Sequence, residues 1–243
     1  IDAAEQDNTL ESLRTITKTL PAALTEKPLT RAPGIYQAQI NDLLLSALLL
    51  TFKTWTASNA LKLTLEGHGR EDLFDDLDLS RTVGWFTSGF PVRLQSLALD
   101  HTDSVNLAAV VRDIKDTLRS IPQHGIGFGI LRYMHPDDIV RHALNAGGQA
   151  EVSFNYLGQF KEPEASQFIL GEAPEPSGSD QSREGRRQAL IEINSIHRRG
   201  ELEFSWSYSD QLHHKETIET LAQHYLDALT QLVHFSEDAK GFK

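Results

Sequence analysis

Between positions 37 and 55 the sequence reads QAQINDLLLSALLLTFKTW, and only Gln37, Gln39, Asn41, Asp42, Ser46 and Lys53 interrupt its apolar residues. A helix that is apolar on nearly every side belongs inside a protein, so this segment predicts a long, deeply buried core helix. Its densest stretch, LLLSALLL at 43–50, falls far short of the roughly 20 residues that span a bilayer. The start of the chain also lacks the basic-then-apolar pattern of an export signal. The expectation is a chain neither exported nor membrane-embedded, with the cytoplasm as its compartment.

Around that helix the pattern alternates between strand and helix periods. Residues 1–14 read as a frayed end, and 15–20 as a short β-prone stretch before the breakers Pro28, Pro33 and Gly34. Leu61, Leu63 and Leu65 alternate with Lys62 and Thr64, which predicts a strand with one buried face that delivers Glu66 at its end. An acidic loop at 72–80 and a β-prone run at 82–94 follow, then a surface helix within 104–121 that Pro122 stops. Pro136, Asp137 and Asp138 open a short helix, their acids suiting the positive end of its dipole.

A strand at 151–157 precedes a long Pro- and charge-rich excursion at 161–187, read as an extended crossing loop. Two strands, 189–197 and 201–208, pair across Arg199-Gly200 as a hairpin. Ile218, Leu221, Tyr225, Leu229 and Leu232 mark a final amphipathic helix covering the sheet. The expected fold class is α/β: a mixed-sheet, two-layer sandwich with helices on one face.

Composition narrows the function. A formal net charge of −11 repels phosphate backbones, so nucleic acid is excluded as a nonspecific partner. With no cysteine there is no disulfide, thiolate zinc site or cysteine nucleophile. No Gly-x-Ser-x-Gly elbow supports serine hydrolysis.

Glu66 is the first candidate for chemistry. A carboxylate at the end of a buried strand is partly desolvated, which makes it a better proton donor and acceptor near neutrality, and Gly67 and Gly69 leave room for a ligand. The alternative is an ion pair with Arg70 or Arg81 that merely ends the strand. In SFNYLG at 153–158, alternation sets Phe154 and Tyr156 on one face and Ser153 and Asn155 on the other. Asn155 is then either a donor to a developing oxyanion or an amide that only ties strands together.

HGIGFG at 124–129 lacks the Lys-Ser/Thr of a phosphate loop and reads as a flexible lead into a strand. His213-His214 has no third ligand at helical spacing and reads as a solvated pair, so no metal site is expected.

Taken together, EGHGRE (66–71), DLSRTVGWFTSGFPV (78–92), PQHGIGFGILRY (122–133), SFNYLGQF (153–160) and EINSIHRRGELEFSWSYS (192–209) resemble, in order and spacing, the motifs of epimerization domains of nonribosomal peptide synthetases. QINDLLLSALLLTFKTWT is similar to the helix that precedes them. These domains belong to the condensation-domain superfamily, so the resemblance implies a chloramphenicol-acetyltransferase-like lobe. It matches the C-terminal lobe over nearly the whole chain. The superfamily's HHxxxDG motif, carried by the N-terminal lobe, has no counterpart here, since His213-His214 continues as Lys-Glu-Thr-Ile-Glu.

The resemblance implies an isomerase that inverts the Cα centre of an aminoacyl or peptidyl thioester, on the route to D-amino acids in peptide antibiotics. Glu66 matches the acid/base glutamate, Asn155 and Tyr156 the active-site Asn-Tyr pair, and Arg81 the arginine before TVGW, with roles in orientation and support. The substrate comes on the phosphopantetheine arm of a carrier domain, and no covalently bound cofactor is expected. Implied partners are a peptidyl carrier domain, the N-terminal lobe and neighbouring synthetase modules. A catalytically silent condensation-like module that binds a carrier or partner protein is the alternative; true condensation is disfavoured because EGHGRE and TVGWFT match the epimerizing branch.

Overall fold

In the computed structural model, which describes residues 2, 7–25, 29–76, 78–100, 105–160, 178 and 181–238, six strands form one sheet in the order β1-β6-β5-β4-β2-β3. Along the chain the elements are β1 (Leu13–Leu20), α1 (Ala22–Leu24), α2 (Thr30–Tyr36), α3 (Ile40–Thr56), β2 (Ala60–Gly67), β3 (Ser88–Gln95), α4 (Leu107–Arg119), α5 (Gly127–Met134), α6 (Asp138–Ala146), β4 (Val152–Gln159), β5 (Ile191–Arg198), β6 (Glu201–Ser209) and α7 (Lys215–Asp238). β4 runs parallel to both β2 and β5, and the other pairings are antiparallel, so the expected mixed sheet is observed.

Period-2 alternation divides the sheet cleanly. Leu63 and Leu65 of β2, Val152 and Phe154 of β4, Ile191 and Ile193 of β5, and Phe204 and Trp206 of β6 are buried on one side. Helices α3 and α7 cover that side, with Tyr225 of α7 set edge-on against Phe204 at 4.8 Å and Trp206 at 5.7 Å. The Tyr225 hydroxyl donates to the Leu44 carbonyl of α3 at 3.2 Å, which satisfies a phenol that the core would otherwise leave unpaired.

The opposite face is polar. One row across the sheet reads Thr64, Ser153, Glu192, Ser207 and Thr15, and the next contains Asn155, Asn194, Ser205 and Thr17.

Helix α3 is the buried helix anticipated from 37–55, and its few polar residues are satisfied internally. Ser46 and Thr51 return hydroxyls to the Asp42 and Ala47 carbonyls at 2.6 and 2.8 Å. Gln39 and Asp42 form a capping box, in which the Gln39 amide N–H donates to the Asp42 carboxylate at 2.7 Å. The β5–β6 hairpin turns at Arg199 and Gly200, both with positive φ (53° and 80°), as a two-residue primed turn requires.

Several expectations are corrected. The N-terminal residues that are described are not frayed: Ser12 shares a 2.7 Å hydrogen bond with Ser209, the Arg187 amide N–H donates to the Asn8 carbonyl at 2.8 Å, and Leu13 and Arg14 already belong to β1. The β-prone run at 82–94 becomes a strand only from Ser88, leaving Val83 and Trp85 almost fully exposed. GIGFGILRY leads into no strand but forms α5, after a turn in which Gln123, His124 and Gly125 all have positive φ. His213 is not solvated: it is buried at the start of α7, 6.1 Å from the Trp55 ring and 3.8 Å from the Asp2 carboxylate. Burial pushes its imidazole pKa down, which favours the neutral ring. Most of the 161–187 crossing loop lies outside the described residues.

Candidate active site

Strand β2 delivers Glu66 as its alternation predicts. Leu61, Leu63 and Leu65 anchor one side in the core, so Thr64 and Glu66 project from the other. The parallel neighbour β4, in register through Leu65 and Phe154, brings Asn155 alongside. The Asn155 Nδ2 donates to Glu66 Oε2 at 2.9 Å.

A cavity of about 820 Å³ opens here between the ends of β2 and β4, the start of α3 and the end of α4. Glu66, Asn155 and Tyr156 line it together with His68, Glu71 and His124. The Glu66 side chain is exposed, yet partial desolvation against the wall pushes its carboxyl up from its ordinary value, and the negative charge of Glu192 adds to the effect. Burial also pushes the Tyr156 phenol up from a value at which it already bears its proton at neutral pH.

A raised carboxyl pKa couples to stability with a definite sign. The folded state binds this proton more tightly than the unfolded chain, so the stabilisation is present below the unfolded carboxyl's pKa and is lost as pH rises through the folded one. Glu66→Gln is therefore expected to raise the melting temperature at about pH 7 and to change it less at about pH 4, where more of the wild-type carboxyl is protonated. Calorimetry at the two pH values checks this; a lower melting temperature of the variant at neutral pH contradicts it.

The loop after β2 is held by Arg70 rather than by a Glu66 ion pair. Its guanidinium donates to the carbonyls of Leu79 at 2.5 Å, Thr82 at 2.8 Å and Gly84 at 3.4 Å, and lies 4.2 Å from the Phe86 ring centroid. Arg81 is exposed on the same loop and lines neither this cavity nor the one described below. Gly69 does not make space for a ligand: at φ +66° an added Cβ would lie 1.6 Å from the Phe86 carbonyl oxygen, so the glycine is there to let the loop dock. Arg70→Ala is expected to cost about 1.5–3 kcal/mol through its charged hydrogen bonds. Hydrogen exchange should quicken at residues 79–86, and unchanged protection there would contradict this role.

One feature of the wall escapes sequence inspection. Glu71 bridges two imidazoles, with Oε2 2.8 Å from His124 Nδ1 and Oε1 3.4 Å from His68 Nε2. His68 Nδ1 accepts the Arg70 amide N–H at 3.0 Å, which places the ring proton on Nε2, toward Glu71. The residues stand in EGHGRE and PQHGIGFG, but Glu71 and His124 lie 53 residues apart in the chain. Among the described residues no group of three or more His, Cys, Asp or Glu side chains is placed to hold a metal ion. None of the described helices is long and apolar enough to cross a membrane. What the cavity offers is a carboxyl with a raised pKa, a positioned amide and a phenol, the components of acid/base chemistry on a carbon acid.

The family model described as "Condensation domain" matches residues 2–240. Chondramide synthase cmdD of Chondromyces crocatus is 37% identical over 246 residues, which is 99% of this chain and 6% of that protein, so the chain spans a small part of the relative's length. The epimerization domain from the third module of tyrocidine synthetase B superposes with a TM-score of 0.85 at 34% identity, over 97% of this chain and 51% of that one. The first condensation domain of the CDA synthetase shares the fold, with a TM-score of 0.62 at 14% identity over 96% of this chain and 47% of that one.

Proposed function

We propose that this chain, which belongs to the condensation-domain family, forms the C-terminal lobe of an epimerization domain in a nonribosomal peptide synthetase. The observation that carries this reading is the Glu66 carboxyl, raised by burial and held by Asn155 at the rim of the 820 Å³ cavity. The 34% identity to an epimerization domain supports it. The substrate class is an aminoacyl or peptidyl thioester presented on the phosphopantetheine arm of a carrier domain.

In this reading Glu66, as the carboxylate, takes the Cα proton from one side of the substrate, and the electron pair moves onto the thioester oxygen. Asn155 orients the Glu66 carboxyl through its 2.9 Å hydrogen bond. Tyr156 offers a phenolic O–H to the developing negative charge. A proton returned to the opposite face of Cα completes inversion, and the histidine of the completing N-terminal lobe supplies it. The reverse reaction exchanges the roles, so Glu66 must be able to hold a proton as well as accept one. Arg81, exposed on the 79–86 loop, belongs in this account to the side that meets the completing lobe rather than to the reacting atoms.

The requirement for two lobes is testable. The isolated chain should leave the Cα proton of a carrier-bound thioester in place, whereas the complete domain should exchange it with solvent. Exchange by the isolated chain at the rate of the complete domain would refute the two-sided mechanism.

A further inference from the structure

A second carboxylate faces Glu66 across the polar side of the sheet. Thr64, Ser153 and Glu192 form one row over β2, β4 and β5, and Glu66 stands one side-chain step further along β2. Two strand spacings across and two residues along set the two acidic positions roughly 12 Å apart at the backbone, a gap that two extended glutamate side chains reduce. Both carboxylates line a second cavity, of about 610 Å³, and Glu66 is the residue of the proposed chemistry that this cavity shares with the larger one.

The two carboxylates have different partners. Glu66 receives a neutral amide N–H from Asn155. Glu192 Oε2 instead lies 3.4 Å from Nη2 of Arg187, whose side chain is 1% exposed. Arg187 is fixed by the Ser207 carbonyl at 2.9 Å, Asn8 Oδ1 at 3.2 Å and the Leu190 carbonyl at 3.3 Å. Asn8 is itself tied to the Ala189 carbonyl at 2.9 Å, so the guanidinium has little freedom to leave Glu192.

We infer that Glu192 is a positioning residue for the Glu66 chemistry: pinned by Arg187, its carboxylate stands in the wall of the cavity that Glu66 also lines and acts on the Glu66 carboxyl across it. This rests on the reading of Glu66 as the acid/base group. Two carboxylates in one site with dissimilar partners divide the work, one holding charge and the other holding the exchangeable proton.

Other groups surround Glu66. Tyr156 comes from β4, His68 and Glu71 from the loop after β2, and His124 from the turn before α5. Asp42 of α3 and Arg119 of α4 stand across the larger cavity, and Arg183 and Arg186 across the smaller one. Glu71 is itself engaged by His124 at 2.8 Å and His68 at 3.4 Å. After burial, the charge of Glu192 is what raises the Glu66 carboxyl.

The test uses the complete domain with a loaded carrier, comparing wild type, Glu192→Gln and Glu192→Asp. Two quantities are read against pH: the rate of Cα proton exchange, and the 13C carboxyl resonance of Glu66. Glu192→Gln keeps an oxygen acceptor for Arg187 but removes the charge, and should move both midpoints to lower pH. Glu192→Asp keeps the charge and should leave them near wild type.

A Glu66 titration unmoved by Glu192→Gln overturns the inference. A resonance midpoint that moves while the exchange profile stays in place upholds the Glu192 effect and removes Glu66 from the chemistry, so the two claims fail separately.

Discussion

Glu66→Gln in the complete domain is expected to slow Cα proton exchange on a carrier-bound thioester by about 10²–10⁴-fold, the range that a positioned acid/base group supplies. The substitution is nearly isosteric, and its amide oxygen still accepts from Asn155, so the 2.9 Å contact and the cavity wall survive. What is lost is the ability to carry a proton. A raised melting temperature at neutral pH alongside the lost exchange would show that the carboxylate is kept for function at a cost in stability, as active-site groups often are. Wild-type exchange rates in a correctly folded variant would remove Glu66 from the mechanism.

Trp206→Ala should produce the largest structural effect, a loss of about 3–5 kcal/mol measured by urea denaturation. Trp206 is fully buried in β6, flanked in register by Ile16 and Ile193, and packs edge-on to Tyr225 of α7 at 5.7 Å. Its removal opens a cavity where the sheet meets the helix layer. Such a loss is a large share of the roughly 5–15 kcal/mol typical of a domain. Trp206 Nε1 has no partner among the described residues, so Trp206→Phe, which deletes that donor and keeps an aromatic ring, should cost much less. Equal losses from the two variants would contradict this packing account.

The elements legible in the sequence are those whose periodicity is local. Helix α3 announces itself because its apolar residues nearly encircle it, β2 because Leu61, Leu63 and Leu65 alternate, and the β5–β6 hairpin because Arg199-Gly200 adopts the turn its length demands. The motif around Asn155 singles that residue out, but its hydrogen bond to Glu66 depends on the β2–β4 register, which no local pattern specifies.

The failures share that cause. Val83 and Trp85 look like strand residues, yet Arg70 holds their loop away from the sheet through backbone carbonyls. The glycines of GIGFG suggest a flexible strand approach, but three successive positive-φ residues turn the chain into α5. Gly67 and Gly69 suggest ligand access, whereas Gly69 is needed to pass the Phe86 carbonyl. The Glu71 bridge to His124 joins residues 53 apart in the chain, and a contact at that range leaves no sequence signature.

A domain built on this lobe is expected to invert Cα instead of joining two amino acids. The deciding experiment incubates the complete domain in D2O with a carrier bearing an L-aminoacyl or peptidyl thioester, then hydrolyses the product and analyses its Cα centre. Deuterium at Cα and a mixture of L and D forms are expected. Retention of the protium-bearing L form, with dipeptide appearing when a second loaded carrier is added, would contradict this expectation.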